Sequence, residues 1–275
     1  MTEPRTETWQ IAARDSSQPL RLLQLTDTHL FADSGRSLYG VNTRESLSAV
    51  IAQLKAGDRR PDAVLVTGDL SQDETLESYR ILKELLHELD APLFTLPGNH
   101  DDPEAMRAVF NEPAASYCGV IENGSWRIVM LSSWQEKKVG GLLEESELAR
   151  FSEILATAGK RFILVCVHHQ PVAIGSGWLD RIGMENGDDL LSIAQRDERV
   201  RGVLWGHVHQ VFDEFRGRLR LMSSPSTCRQ FEPRSEQFAI DGLAPGWRWL
   251  SLFPDGGLET EIQRLGSGWK PGARG

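Results

Sequence analysis

Short runs of apolar residues alternate with segments of helical periodicity along the first half of the chain. Three apolar runs are separated by two amphipathic segments, which predicts the order β-α-β-α-β. The predicted strands are residues 21–26, 62–67 and 92–96, and the predicted helices are residues 43–56 and 74–89. Helical crossovers of this kind join parallel strands, so we predict a layered α/β fold.

The second half repeats the alternation and then changes character. We predict strands at 117–121, 127–131, 161–167 and 202–205, and helices at 144–158 and 188–198. Beyond residue 210 only short strands separated by turns remain, at 211–215, 219–222, 247–252 and 258–262. We interpret the chain as a single domain, residues 1–275, with blocks of polar residues over 20–210. Strands within 211–265 are expected to complete a second, largely antiparallel sheet, and residues 266–275 to be a frayed tail.

Five of the apolar runs end in a short polar cluster. Open α/β sheets bind ligands outside the carboxyl ends of their strands, so clusters at five such ends are expected to converge on one site. The clusters are Asp27-Thr28-His29, Gly68-Asp69, Gly98-Asn99-His100-Asp101, His168-His169 and Gly206-His207-Val208-His209.

The side chains in these clusters are suited to binding metal ions. Asp and Asn supply oxygen ligands and His supplies nitrogen, and a mixed set without thiolate favours Fe, Mn, Zn or Co over Mg. Asp27 and His29 are separated by one residue, as are His207 and His209. On an extended backbone such residues point the same way, so each pair is expected to clamp one side of a metal centre.

The number of ligands indicates two ions. The candidate ligands are seven: Asp27, His29, Asp69, Asn99, His168, His207 and His209. Seven ligands are too many for one catalytic ion that keeps an open position, whereas two ions about 3.5–4 Å apart need one bridging carboxylate. Asp69, the central lone carboxylate, is the predicted bridge. Single clusters also have structural explanations, since turn chemistry alone accounts for many Asp-x-His trios. We expect His169 to be a structural histidine.

Charge and composition argue against several classes of binding partner. The formal net charge is −9 over 275 residues, and long nucleic acids usually require a basic surface. The three cysteines lack CxxC spacing, so neither a disulfide framework nor a thiolate zinc site is predicted. The N-terminus lacks the apolar core of a signal peptide, and no apolar run approaches roughly 20 residues. We expect a cytoplasmic protein without nucleic-acid or membrane partners, either monomer or homodimer.

The five clusters, in this order, resemble the calcineurin-like metallophosphoesterase superfamily, whose pattern is D-x-H, G-D, G-N-H-[DE], H and G-H-x-H. The stretches 25–30, 68–73, 168–172 and 224–231 further resemble the bacterial class III cyclic AMP phosphodiesterases. The resemblance implies a four-layer α/β sandwich, with two mixed β-sheets flanked by helices. It also implies a dinuclear-metal phosphodiesterase that hydrolyses 3′,5′-cyclic AMP to 5′-AMP by attack of a metal-bridging hydroxide.

Matching positions assign the ligands. By resemblance, one divalent ion, most readily Fe or Mn, takes Asp27, His29, Asp69 and His209. The other takes Asp69, Asn99, His168 and His207. The predicted catalytic residues are Asn99 and His100, with His100 protonating the leaving oxygen because it adjoins a ligand without being one. The predicted substrate contacts are His29, Asp69, Asn99, His100 and His209.

Two points remain open in the sequence. In many relatives an Asp orients the histidine of the G-N-H block, but this chain has Gln72 at that position. Asp73 is the next residue, and whether it takes over the orienting role is left open by the sequence. A nucleobase calls for an aromatic surface, for which Trp178 and Trp134 are candidates, with Arg229 as a further contact. Alternative functions are hydrolysis of another cyclic nucleotide, phosphodiester or phosphomonoester, and a non-catalytic scaffold with the same fold; a nuclease is disfavoured by the acidic balance.

Overall fold

The computed structural model describes residues 7–11, 18–112, 114–266 and 268–269. Two seven-stranded mixed sheets stack face to face, with helices on their outer faces, so the predicted four-layer α/β sandwich is confirmed. The strands are β1 (Thr8–Gln10), β2 (Leu20–Leu25), β3 (Ser37–Leu38), β4 (Val41–Asn42), β5 (Ala63–Thr67), β6 (Leu93–Leu96), β7 (Asn111–Glu112), β8 (Ala115–Tyr117), β9 (Val120–Asn123), β10 (Trp126–Met130), β11 (Phe162–Cys166), β12 (Val200–Trp205), β13 (Phe212–Arg216), β14 (Leu219–Ser223), β15 (Gln230–Phe231), β16 (Ile240–Asp241), β17 (Gly246–Leu252) and β18 (Leu258–Arg264).

The helices follow the predicted positions closely, with two additions. They are α1 (Thr43–Ala56), α2 (Leu76–His87), α3 (Pro103–Val109), α4 (Glu145–Ala156), α5 (Gly177–Asp180) and α6 (Gly187–Arg196). Helix α3 was not predicted, although Asp102 caps it by accepting from the Glu104 and Ala105 amides, with Pro103 in the first turn. Among the described residues, every helix is too short or too polar to span a bilayer.

The first sheet has the strand order β18-β17-β2-β5-β6-β8-β7, and α1, α2 and α3 cover its outer face. The second has the order β1-β9-β10-β11-β12-β14-β13, and α4 and α6 cover its outer face. Between the sheets lies an apolar layer that includes Leu22 and Leu65 from one side and Leu164 and Leu204 from the other. The central strands are therefore buried on both faces, which explains their unbroken apolar sequences.

The C-terminal strands do not all complete the second sheet, so that prediction is wrong in part. β13 and β14 join the second sheet, but the β17–β18 hairpin pairs antiparallel with β2 in the first. Along β17, Trp247 and Trp249 pack with the helix layer, whereas Leu250 and Leu252 face the layer between the sheets. Two buried faces suit this strand to an interior position, where it also covers the otherwise unpaired edge of β2.

The single strand predicted at 117–121 is in fact two strands in different sheets. β8 pairs with β6 in the first sheet, and β9 pairs with β10 in the second. Between them Cys118 has a φ of 32°, which breaks the extended run and turns the chain across the sandwich. In the predicted tail, Trp269 packs against the core of the first sheet, and residues 270–275 lie outside the described residues.

Candidate metal centre and its pocket

The seven predicted ligands lie in the loops that follow β2, β5, β6, β11 and β12, where strands of both sheets end. Six of the seven are buried, and Asn99 is half-buried. The ligand atoms of Asp27, His29 and His209 lie within 4.8 Å of one another, as do those of Asp27, Asp69 and His168. The ligand atoms of His207 and His168 form a similar group with His169. We call the seven the ligand cluster: Asp27, His29, Asp69, Asn99, His168, His207 and His209.

One half of the cluster is built around Asp27, His29 and His209. The Nε2 atoms of His29 and His209 lie 3.2 Å apart, and His209 Nε2 lies 3.2 Å from Asp27 Oδ1. Two imidazole nitrogens and a carboxylate oxygen that converge in this way form a typical site for a divalent transition metal.

The other half contains His168, His207 and Asn99. His168 Nε2 lies 3.4 Å from Asp69 Oδ1, while Asp69 Oδ2 lies 3.7 Å from His29 Nε2 in the first half. Asp69 thus presents one oxygen to each half, as a bridging ligand requires. Asn99 Oδ1 and His168 Nε2 are buried without a hydrogen-bond partner among the described residues. Buried polar atoms rarely remain unpaired, so this donor set fits bound metal ions.

Backbone carbonyls orient three of the histidines from outside. His168 and His209 donate from Nδ1 to the carbonyls of Thr67, at 2.8 Å, and Arg229, at 2.7 Å. His207 donates from Nε2 to the Ile182 carbonyl at 3.1 Å. Such bonds fix the ring orientation and leave the opposite ring nitrogen directed at the cluster.

His169 has no nitrogen left for a metal. Its Nδ1 lies 2.8 Å from Ser133 Oγ and its Nε2 lies 3.0 Å from the Val139 carbonyl. Burial holds its pKa well below the ordinary value, so the ring is neutral and both nitrogens are used. This is the arrangement expected of a structural histidine.

Five of the ligands have left-handed backbone conformations. The φ angles are 54° at Asp27, 46° at His29, 51° at Asp69, 64° at His207 and 47° at His209. The expectation that an extended backbone aligns each Asp-x-His or His-x-His pair is therefore wrong. A non-glycine residue in this region costs about 1–3 kcal/mol and persists where surrounding contacts enforce it. Here the Asp27 amide donates to the Gly68 carbonyl and the His29 amide to the Asp69 carbonyl.

Two glycines allow the loops to meet. At Gly68, with a φ of +92°, a Cβ atom would lie 2.2 Å from His168 Nδ1. At Gly98 it would lie 2.2 Å from Asp69 Oδ1. Any side chain at either position would displace a predicted ligand, so the cluster requires glycine there.

Asp101 organises the same loops, although the sequence analysis gave it no role. Its buried carboxylate accepts from the backbone amides of Leu70, Ser71 and Gly98 and from the Tyr79 hydroxyl. Burial, together with the charge of Asp69, raises the pKa of Asp101 to about 7. By joining the loops after β5 and β6, Asp101 positions Asp69 relative to Asn99.

Electrostatics divide the cluster into neutral and charged side chains. Burial lowers the pKa values of His29 and His207 to about 3, which keeps both rings neutral. Burial also disfavours the charged form of His168, but Asp69 outweighs it and raises the pKa to about 9. Burial opposes ionisation of Asp69 too, yet His168 holds the Asp69 pKa well below its usual range. A cation that bound here would replace the His168 proton.

His100 lies beside the cluster and lines the pocket above it. Its backbone amide donates to Asp69 Oδ1 at 2.9 Å, and its ring meets the His29 ring edge-on at 5.3 Å between centroids. Gln72 Nε2 lies 3.3 Å from His100 Nδ1. Asp73 instead accepts from the Ala32 amide. The side chain next to His100 is therefore Gln72.

A pocket of about 660 Å³, open solvent at its mouth included, rises from the cluster. One side consists of four aromatic residues that we call the aromatic wall: Tyr39, Trp178, Phe231 and Phe238. Of the two tryptophans predicted to offer an aromatic surface to a nucleobase, Trp178 lines the pocket and Trp134 does not. Arg229 donates from Nε to the Tyr39 carbonyl at 3.0 Å, so it holds part of the wall. Tyr39 and Phe238 follow no motif and were missed, and Phe231, at the end of the 224–231 stretch, was given no role.

The fold and the site define a class of protein. The sequence pattern of calcineurin-like phosphoesterases matches residues 20–211, and the chain belongs to this family. It is 45% identical over 244 residues to the 3′,5′-cyclic adenosine monophosphate phosphodiesterase CpdA of Pseudomonas aeruginosa, covering 89% of each chain. It is 39% identical over 248 residues to CpdA of Escherichia coli strain K12, covering 90% of each.

A solved structure shares the fold at much lower identity. The purple acid phosphatase PPD1 of yellow lupin superposes with a TM-score of 0.68 at 16% identity, covering 92% of this chain and 52% of that one. The phosphoesterase family and the four-layer fold inferred from the sequence blocks are thereby confirmed.

Proposed function

We propose that this protein is a metal-dependent phosphodiesterase that hydrolyses 3′,5′-cyclic AMP to 5′-AMP. The observation that carries the proposal is the complete ligand cluster, in which Asn99 Oδ1 and His168 Nε2 are buried without a hydrogen-bond partner among the described residues, at the base of a pocket lined by aromatic side chains. Relatives at 45% and 39% identity are 3′,5′-cyclic AMP phosphodiesterases, which supports this substrate over other phosphoesters.

Two divalent ions would be held by the residues of the ligand cluster, with Asp69 between them. Bound ions of this type supply a nucleophilic hydroxide at neutral pH and stabilise negative charge on phosphoryl oxygens. The nitrogen and oxygen donors favour Fe or Mn, with Zn or Co also compatible. All three cysteines lie in the described part of the chain and are free thiols, which supports a reducing compartment such as the cytoplasm.

His100 has the position of a general acid. It lines the pocket next to Asn99, and Gln72 at Nδ1 leaves Nε2 to carry the proton that the leaving 3′ oxygen needs. Asn99, a half-buried residue of the pocket lining, would donate from its side-chain amide to the phosphoryl group.

A substrate panel tests the proposal. The protein is purified with added Mn or Fe, and kcat/KM is compared for 3′,5′-cyclic AMP, 3′,5′-cyclic GMP, 2′,3′-cyclic AMP and p-nitrophenyl phosphate. We expect 3′,5′-cyclic AMP to be hydrolysed with release of 5′-AMP at a rate well above that of the monoester. A higher kcat/KM for p-nitrophenyl phosphate than for every diester would refute the assignment.

A further inference from the structure

We propose that Tyr39 and Phe238 form the platform on which the substrate's nucleobase stacks. This inference deepens the proposed function, since it assumes a substrate that carries a base next to its phosphate. It names residues outside every sequence block described above and gives the outer half of the pocket a role.

Contacts along the aromatic wall lead from the ligand cluster to the pocket mouth. Phe231 stacks on His209 with 4.1 Å between centroids and 10° between planes. Phe238 follows at 5.4 Å from Phe231, and Tyr39 lies 5.2 Å from Phe238. Trp178 contacts both phenylalanines edge-on. A phosphate bound at the cluster would therefore place a base beside the outer rings.

Exposure separates the outer rings from the inner ones. Phe231 is 8% exposed, whereas Tyr39 and Phe238 are each 47% exposed. The two inner rings, Phe231 and Trp178, pack against each other, and Phe231 also covers one face of the His209 ring. Large apolar side chains left half-open inside a pocket are available to a ligand, because part of their surface has no protein neighbour.

Backbone strain at Tyr39 supports a functional role. Tyr39 and Gly40 form the two-residue turn of the β3–β4 hairpin, with φ angles of 48° and 76°. Turns with positive φ at both positions favour Asn, Asp or Gly first, so a tyrosine there is unfavourable. The bond from Arg229 to the Tyr39 carbonyl holds this conformation. Strained residues of this kind cluster at ligand-binding sites.

The proposed chemistry is stacking without base-edge recognition. Stacking on an aromatic ring strengthens binding by about 1–3 kcal/mol per base, or about 5- to 150-fold, and tolerates any base. The platform should therefore favour nucleotides over base-free phosphates and discriminate weakly between adenine and guanine.

Product binding tests this without requiring turnover. Dissociation constants of 5′-AMP and ribose 5-phosphate are measured calorimetrically on metal-loaded wild type, Tyr39→Gly, Phe238→Ala and the double variant. Tyr39→Gly removes the ring while keeping a residue that accepts positive φ. Phe215→Ala is the matched control, because Phe215 is 66% exposed on β13 and outside the pocket.

We expect wild type and the control to bind 5′-AMP about 5- to 150-fold more tightly than ribose 5-phosphate. The double variant should bind the two equally, with unchanged affinity for ribose 5-phosphate. Unchanged 5′-AMP affinity in the double variant would overturn the proposal that Tyr39 and Phe238 stack on the base.

Steady-state kinetics give a second readout. The platform variants should raise KM for cyclic AMP with little change in kcat and leave the inhibition constant of inorganic phosphate unchanged. Tyr39→Phe keeps the ring and should therefore retain the wild-type KM. A fall in kcat at constant KM would contradict a base-binding role. A wild type that binds 5′-AMP through these rings but leaves cyclic AMP intact would refute the proposed function alone.

Discussion

The ligand cluster and the aromatic wall hold their side chains by different means. In the cluster, backbone bonds to the loop after β5 hold Asp27 and His29, and the His207 amide donates to the Asp27 carboxylate. Carbonyls orient the outer nitrogens of three histidines. In the wall, ring contacts dominate, and the two outermost rings remain half-open to solvent.

This difference implies a division of labour. Groups that stabilise charge must be held in place before the reaction, because reorganisation during the reaction would reduce their effect. A stacking surface tolerates small shifts, since dispersion and apolar burial have little directionality. Substitutions in the cluster should therefore act on metal content and kcat, and substitutions in the wall on KM.

The largest effect is expected from Asp69→Asn. It removes the carboxylate shared by both halves of the cluster, and metal stabilisation amounts to several kcal/mol, so kcat should fall by at least about 10³-fold. Metal content per chain, measured by elemental analysis, should fall in parallel. The control is Asp73→Asn, whose side chain accepts from the Ala32 amide. An Asp69→Asn variant with two ions and near-normal kcat would exclude the bridging role.

His100→Ala should come next. Loss of a general acid lowers kcat by about 10²–10⁴-fold while both ions remain, since His100 lies outside the ligand cluster. The measurements are kcat and bound metal, and His87→Ala, at the end of α2, is the control histidine. Loss of metal from the His100→Ala variant would show that His100 is a ligand instead.

Asp101→Ala tests how the cluster is held rather than what it does. It leaves three backbone amides without their acceptor, and about 1–3 kcal/mol for each predicts at least about 3 kcal/mol of lost stability. Urea unfolding of the metal-free protein measures this loss. Tyr79→Phe removes only the hydroxyl contact to Asp101 and should have a smaller effect. Equal losses in both variants would contradict the special role of Asp101.

Removal of metal should expose a pH dependence of stability. His29 and His207 have folded pKa values of about 3 against 6.5 unfolded, so the unfolded chain binds more protons between these values. The contribution of these two histidines to the free energy of unfolding is complete above pH 6.5 and is lost as the pH falls toward 3. Asp101 opposes part of this loss, because its pKa is raised to about 7.

His168 acts in the opposite window. Its folded pKa of about 9 means that its contribution is complete below pH 6.5 and is lost as the pH rises to 9. Each proton changes the unfolding free energy by about 1.4 kcal/mol per pH unit. We expect the metal-free protein to be less stable at pH 9 than at pH 6.5, and added metal to reduce this alkaline decline. An equal decline with and without metal would argue against His168 as a ligand.

The smallest effect is expected in the wall. Arg229→Gln removes the Nε donor that holds the Tyr39 carbonyl, so KM for cyclic AMP should rise by about two- to fivefold, with kcat unchanged. Arg229→Lys keeps the charge but lacks the Nε donor and should behave alike. A lysine variant with normal KM would show that the charge of Arg229 matters, as direct contact with substrate would require.

The sequence by itself determined the polar blocks, their order and most of the elements that carry them. Asp27, Asp69 and His168 could be placed at strand ends because buried strands have unbroken apolar sequences. The alternating pattern also determined the layered class of the fold. Helix α1 was predicted with both its ends, since Asn42 caps it by a local hydrogen bond.

The tertiary structure decided which sheet each strand joined and which residues from distant segments met. β17 pairs with β2 across more than two hundred residues, and Tyr39 meets Phe238 from another hairpin, so neither contact leaves a local pattern. The left-handed backbone of the ligands likewise depends on bonds between loops. Local propensities record what a residue's neighbours in sequence allow, whereas these features are fixed by contacts that exist only after the sheets have packed.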